Sequence, residues 1–340
     1  MTSGLTSNQA LQSTDLEDST KAGAASWVSS IVLPRGLKWL DSDYFGVGVE
    51  SVKSLPAQTN LSRWIPFLIL HLLALPAFFM PVSPLAIGVC VFLYSIRMFA
   101  ITAFFHRYFA HKCFKTSRLA QFVFAFWGGL AVQRGALWWA AHHRHHHKNS
   151  DKVGDVHSPV MRGFIWSHIG WITADCNMPT RYELIPDLTR YPELVFLNRF
   201  DWIPAAVLII TLYVSGCLLQ TYCPALHTSG LELLLWGFFV STVVLFHCVC
   251  SINSLSHIFG NQRYETDDDS KNNFLLALIT FGEGWHNNHH RYQSAARQGF
   301  YWWEVDLTYY VLKLFSLTGI IWQLRPVPDE AYTKSQDRKV

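Results

Sequence analysis

The sequence predicts an all-α integral membrane protein, with four membrane-spanning helices in two hairpins and a helical cap on one side. Three observations predict it. Half of the 340 residues are hydrophobic and only 15% are charged, whereas about a quarter are charged in an ordinary soluble domain. Four apolar stretches, 64–80, 85–105, 202–220 and 231–251, approach the roughly 20 residues that cross a bilayer, and they come as two close pairs. Apart from Arg97, inside the second stretch, every Lys and Arg lies on the same side of those pairs.

Taken in order, residues 1–25 are polar, with neither a basic start nor an apolar run. They read as a disordered tail rather than a secretory signal. A single domain over 26–325 and a tail over 326–340 follow. Segment 25–40 mixes Trp27, Ile31, Val32 and Trp39 with Arg35 and Lys38 and reads as a helix along the membrane surface. Segments 119–132 and 184–200 read the same way. Pro81-Val82-Ser83-Pro84 turns the first hairpin, and a stretch containing Pro224 and Gly230 turns the second. Neither tip, 81–84 or 221–230, holds a Lys or Arg. The positive-inside bias therefore places both termini and the central segment 106–201 in the cytoplasm. Seven scattered cysteines without CxxC spacing read as reduced thiols. A net charge of +3, without a basic stripe interleaved with aromatics, sets nucleic acid aside.

The 16 histidines carry the chemistry. His106 and His111 follow the second span in FFHRYFAHK. WWAAHHRHHHKNSD holds His142, His143, His145, His146 and His147. His257 lies in NSLSHIFG beyond the fourth span, and His286, His289 and His290 lie in GEGWHNNHH. Each group sits at, or folds back to, the cytoplasmic mouth of the bundle. HxxHH puts three imidazoles on one helix face. His106 and His111, five apart, suit a helix end or two metals rather than one. Nine or more imidazoles exceed the capacity of one ion, so two metals share the set. No HExxH is present, which argues against a zinc peptidase. His71 and His247 inside spans, and His227 in an outer loop, read as satisfied polar residues. A metal transporter would carry ionisable ligands at mid-membrane, whereas these boxes lie at span ends.

HRYFAH, HRHHHK, NSLSH and GEGWHNNHH, in this order over residues 60–325, resemble the membrane fatty acyl desaturases, specifically the acyl-CoA group. That resemblance implies two iron ions on nine histidines, O2 as co-substrate, and a cis double bond, at delta-9, in a long saturated acyl chain. A lipid hydroxylase on the same scaffold is the alternative. The implied ligands are His106, His111, His143, His146, His147, His257, His286, His289 and His290, with Asn253 holding a metal-bound water. The second box also fits HxxHH as His142/His145/His146. The family pattern HRxHHK selects the later register, because only that one positions Arg144 and Lys148. Asp155, Glu283, Glu304 and Asp306 are the candidate carboxylates for orienting the ligands. Animal members carry Arg-Asp before the second box, where this chain has Ala141 and His142. An acyl-CoA substrate is still the expectation. There is no HPGG haem segment, so electrons come from a separate ferredoxin or b-type cytochrome and its reductase.

The second span leads into His106, so its inner face is expected to line the acyl tunnel. Cys90, Tyr94 and Ile101 fall at helical spacing, with Cys90 roughly 24 Å of helix from His106.

Overall fold

The computed structural model describes residue 31 and residues 33–333. The expected N-terminal tail, most of the 25–34 stretch and the end of the C-terminal tail lie outside the described residues. Four helices are long and apolar enough to cross a membrane: Leu61–Phe79, Pro84–Ala110, Trp202–Tyr222 and Gly230–Leu255. The described residues otherwise form short helices, loops and one two-residue strand pair, Lys115–Thr116 with Ile321–Trp322.

The spans begin where the sequence supplies caps. The side chains of Asn60, Ser83 and Ser229 accept the backbone N–H of Ser62, Ala86 and Glu232, satisfying donors that a helix start leaves open. Pro84 occupies the first turn, where its missing N–H costs nothing. Buried Glu232 accepts the Ser83 N–H, which ties the two hairpin tips together.

The first and third spans are buried over only 11% and 22% of their apolar windows, the second and fourth over 44% and 56%. The second and fourth spans are therefore the centre of the bundle, and the other two face lipid. These central spans are also the longest, at 27 and 26 residues. At 1.5 Å per residue they reach about 40 Å, against about 30 Å of hydrocarbon. His106 and Asn253 lie in the last five residues of these long spans, and His257 follows two residues after the fourth. Arg97 is fully buried inside the second span. It bonds only neutral acceptors: Ser241 Oγ, Thr242 Oγ1 at 2.8 Å, and the carbonyls of Leu93 and Leu130. Those bonds join the central spans to the end of the helix Arg118–Gly129.

The cap packs on the upper end of the second span. Phe104 stacks on Phe124 at 3.9 Å, and Phe105, Phe109, Leu137 and Ala140 join the same buried cluster. Each such ring contributes about 1.5–3 kcal/mol. The 119–132 stretch forms the helix Arg118–Gly129, which packs inward through Phe124, Ala125 and Gly128 and leaves Leu119 and Val123 exposed on its other face. A Cβ at Gly128 would come within 2.1 Å of Phe105. The 184–200 stretch breaks at Pro192 into Pro186–Thr189 and Pro192–Arg199. Arg35–Leu40 is a single 3-10 turn with Trp39 exposed.

In the second hairpin the backbones nearly touch. A Cβ at Gly216 would meet the Ser229 carbonyl oxygen at 2.5 Å, the close approach that small residues permit between membrane helices. Gly216→Val is expected to destabilise the protein by about 1–3 kcal/mol. The check is the thermal midpoint of the detergent-solubilised chain. A wild-type midpoint would mean that the hairpin does not depend on this contact.

Candidate metal centre

Nine of the histidines converge above the central spans in two groups. His106, His111, His143, His147 and His289 form one; His146, His257, His286 and His290 form the other. Within each group one donor atom per residue lies within 4.8 Å of all the others. Four chain segments meet here: the end of the second span, the helix Ala136–Asn149, the end of the fourth span and the short helix His286–Arg291.

His106 and His111 were expected at a helix end or on two metals, and the structure brings them into one group. The reason is local winding. Ile101–Ala110 is π-helical, and the His111 N–H donates to the His106 carbonyl at 3.1 Å. This wider turn brings residues five apart side by side, with ring centroids 4.9 Å apart. In the helix Ala136–Asn149, His143, His146 and His147 point into the groups, as the later register requires. His142 turns back to the Trp138 carbonyl, and His145 bonds the Gly154 carbonyl.

The nitrogens are arranged as metal ligands would be. The Nε2 atoms run His106 to His289 at 3.0 Å, His289 to His147 at 2.9 Å, His147 to His143 at 2.9 Å and His143 to His111 at 2.8 Å. His257 and His286 approach the same way at 3.0 Å. His146 Nε2 and His290 Nε2 are buried without any partner. Burial, then repulsion from neighbouring imidazoles, holds His111, His143, His147, His286 and His289 well below the usual imidazole range. Burial pushes His290 down to about 4 despite Asp268. Neutral rings with converging lone pairs repel one another, and a cation between them turns that repulsion into coordination. The residues fit two metal ions.

Carboxylates set the tautomers. His146 Nδ1 meets Asp155 at 3.0 Å, His257 Nδ1 meets Asp151 at 2.7 Å, His290 Nδ1 meets Asp268 at 2.6 Å, and His106 Nδ1 meets Glu283. Each donates its Nδ1–H and turns Nε2 inward. Burial would raise the Asp155 and Asp268 carboxyls, but the facing imidazoles hold both well below the carboxylate range. Asp155 and Glu283 thus touch imidazoles as expected, and Glu304 and Asp306 do not. Glu304 is taken by Arg263 and by Asn288 at 3.1 Å, bracing the third box. Asp306 holds the buried Arg107 and caps Leu307–Leu317 through the Tyr309 N–H. Sequence reasoning missed Asp151, Asp268 and His157. Asp151 lies just beyond the end of the helix Ala136–Asn149 and bonds His257, so its spacing from His147 carries no signal. Asp268 sits in an acidic run of solvated appearance, and His157 stacks on His146 at 4.2 Å. The remaining intramembrane histidines bond one another: His71 to His247 at 2.9 Å and His247 to His168 at 3.0 Å, ending on Ser254. They tie the first and fourth spans to the cap.

A cavity of about 40 Å³ lies against both groups, lined by Met98, Ile101, Thr102, Trp139 and Asn253 with His106 and His286. A larger one, about 390 Å³, shares Trp139, His143, Val249 and Asn253 with it and reaches Phe67, Ala205 and Phe246 on the other spans. Ile101 therefore faces the centre, whereas Cys90 and Tyr94 line neither cavity. Cys90 packs among Ala74, Ala77, Leu235 and Val240, and the Tyr94 hydroxyl donates to the Ile279 carbonyl. The larger cavity is walled by the first, third and fourth spans and the cap, and the second span reaches only the smaller one, through Met98, Ile101 and Thr102.

The charges differ between the groups. Three carboxylates serve the four-histidine group. The five-histidine group has Glu283 alone, and Arg107 at 3.2 Å offsets it. The first divalent ion is expected to enter the four-histidine group, and Asp268→Asn should weaken that binding about 10- to 100-fold. Titrating metal-stripped full-length protein with Co2+ tests this. Two equivalent sites, unchanged by Asp268→Asn, would refute it.

The family model for "Fatty acid desaturase" matches residues 82–316. The sn-1 stearoyl-lipid 9-desaturase of Synechocystis sp. is 38% identical over 281 residues, covering 82% of this chain and 83% of that protein. An acyl-CoA 5-desaturase of Anemone leveillei is 35% identical, covering 79% and 80%. A hex-5-enoyl-[acyl-carrier protein] acetylenase of Moorena producens is 34% identical, covering 72% and 78%. With four apolar spans and a histidine-walled centre, this chain is an oxidoreductase of the membrane and belongs to the fatty acid desaturase family.

Proposed function

We propose that the chain uses two iron ions on its nine histidines, with O2, to introduce a cis double bond at delta-9 of a long saturated acyl chain. The supporting observation is that two converging imidazole groups sit against an apolar cavity that shares four wall residues with a larger one between the spans. Imidazole suits iron, and the stearoyl-lipid 9-desaturase relative supports the position of the double bond. The reaction removes one hydrogen from each of two adjacent methylenes. One O2, two electrons and two protons are consumed and two waters form.

The bound ions would supply the oxidising power needed to break an unactivated C–H bond. This chain's own residues do the positioning. The Nδ1–H bonds to Asp151, Asp155, Asp268 and Glu283 fix the ligand rings. Met98, Ile101, Trp139 and Val249 hold the methylenes beside the histidines and keep water away. Asn253, which lines the same cavity as His286, would hold a metal-bound water. The basic flanks of the spans support a cytoplasmic centre with both termini on that side. Electrons then arrive from a separate ferredoxin or b-type cytochrome with its reductase, since no GxGxxG fingerprint is present to bind a nicotinamide.

Expression in a host lacking its own desaturase tests this reading. Lipid analysis is expected to find 9-monoenes. His289→Ala is expected to remove them and lower bound iron while the protein stays membrane-inserted, because no neighbour replaces that ligand. Hydroxy acids would instead indicate an oxygenase, and an unchanged lipid profile would overturn the proposal. In isolated membranes, monoene formation is expected only with an added reduced ferredoxin or cytochrome. Sustained turnover on a nicotinamide cofactor alone would contradict the separate donor.

A further inference from the structure

Beside the four-histidine group lies a loop whose charge exceeds what orienting one ring requires. Its ends are pinned together, because the Asn261 and Asn272 backbones exchange hydrogen bonds at 2.9 and 2.8 Å. Asn287 of the third box holds its first half, accepting the N–H groups of Arg263 and Tyr264 at 2.8 and 2.7 Å. The tip, Glu265-Thr266-Asp267-Asp268-Asp269, carries four carboxylates in five residues. Glu265, Asp267 and Asp269 are exposed. Among the described residues, their ion pairing is limited to Asp267 with Lys152 at 3.6 Å, and both of those side chains are exposed.

The tip reaches the histidines along two routes. Asp268 accepts the Nδ1–H of His290 at 2.6 Å. The Asp269 N–H donates at 2.9 Å to Asp151, which in turn holds His257 Nδ1 at 2.7 Å. Within the same group, His146 Nε2, His286 Nδ1 and His290 Nε2 are buried without a partner, on residues 1%, 4% and 7% exposed. Those bare nitrogens show that a cation belongs here; the acids show from which side it arrives. Around this group Asp151, Asp155, Glu265, Asp267, Asp268 and Asp269 outnumber Lys152, Lys271 and Arg291. The five-histidine group presents the opposite sign to solvent. Lys112 and Lys148 directly follow its ligands His111 and His147 and are exposed, and Lys112 shares Asp187 with Arg144. A divalent cation is repelled on that side and attracted at the loop.

We propose that the loop 265–269 is the port through which divalent metal ions load the four-histidine group. Exposed charges of one sign concentrate a counter-ion and speed its capture, and salt screens that attraction beyond about 10 Å. Glu265, Asp267 and Asp269 therefore gather the ion at the mouth. Asp268 and Asp151 continue the negative path to His290 and His257, where water on the ion is exchanged for imidazole nitrogen. The loop sets the speed of loading, and the histidines set the final grip. This inference rests on the metal reading of the histidines, and its test is a rate which that reading does not require.

Metal-stripped full-length protein is mixed rapidly with Co2+, and uptake is followed by quenching of tryptophan fluorescence. Asp268 is left intact, so the orientation of His290 is not disturbed. At low ionic strength the variant Glu265→Gln/Asp267→Asn/Asp269→Asn is expected to take up its first ion about five- to tenfold more slowly. That gap is expected to close at about 1 M salt, where the screening length falls to about 3 Å, with the same number of ions bound at saturation. Glu50→Gln/Glu183→Gln/Glu193→Gln removes equal charge from carboxylates that pair with Lys53 and Arg118, and is expected to load at the unaltered rate. An unchanged rate in the loop variant would overturn the port. So would slowing that salt does not erase, equal slowing in both variants, or fewer ions bound by the loop variant. Unaltered protein that takes up no Co2+ would overturn the metal reading itself, and the port with it.

Discussion

Nine imidazoles aimed at one buried region crowd their lone pairs together unless cations lie among them, and much of the fold answers that constraint. Burial holds His111, His143, His147, His286, His289 and His290 below the usual imidazole range, so their lone pairs are available at physiological pH. Carboxylates on four Nδ1–H groups then decide which nitrogen points inward. The π-helical end of the second span brings His106 and His111 into one group, where α-helical winding would splay them. The polar assembly forms at the ends of the long central spans, where charge is less costly than at mid-membrane.

The carboxylates make the two groups unequal. Asp151, Asp155 and Asp268 surround one group, whereas Glu283 near the other is shared with Arg107. Two ions in such surroundings experience different fields, although both are bound by imidazole. Glu304, Asp306, Arg263 and Arg107 form a further layer beneath, bracing the third box and the helix Leu307–Leu317. The buried charges of Arg107, Glu283, Glu304 and Asp306 in this cap are each matched by a charge of opposite sign. Arg97, inside the span, is the contrast: it is satisfied by neutral oxygens.

An apolar path leads away from this polar assembly. The small cavity touches both histidine groups, and the larger one widens between spans that face lipid. The wall of the larger one also carries the polar groups of Gln133, His142 and Trp171. Two cavities that share Trp139, His143, Val249 and Asn253 thus pass from polar groups, along aromatic and aliphatic walls, to converging imidazoles. Those aliphatic walls match the chemistry of an acyl chain.

The sequence by itself determined the spans, their pairing and the histidines that meet. Hydropathy over about 20 residues is a local property, and HxxHH spacing is set by helix geometry within one turn. It also named Asp155 and Glu283, on equal terms with Glu304 and Asp306, among the acids. The tertiary structure alone decided which ring belongs to which group, that Asp151 and Asp268 orient ligands, and that Glu304 and Asp306 do not. Asp268 lies 22 residues before His290, and Asp151 lies 106 before His257. No periodicity reports contacts across such separations. The tunnel face was illegible for the same reason. Cys90, Tyr94 and Ile101 share a spacing, but which side of a helix is packed shut depends on the neighbouring helices, not on its own residues.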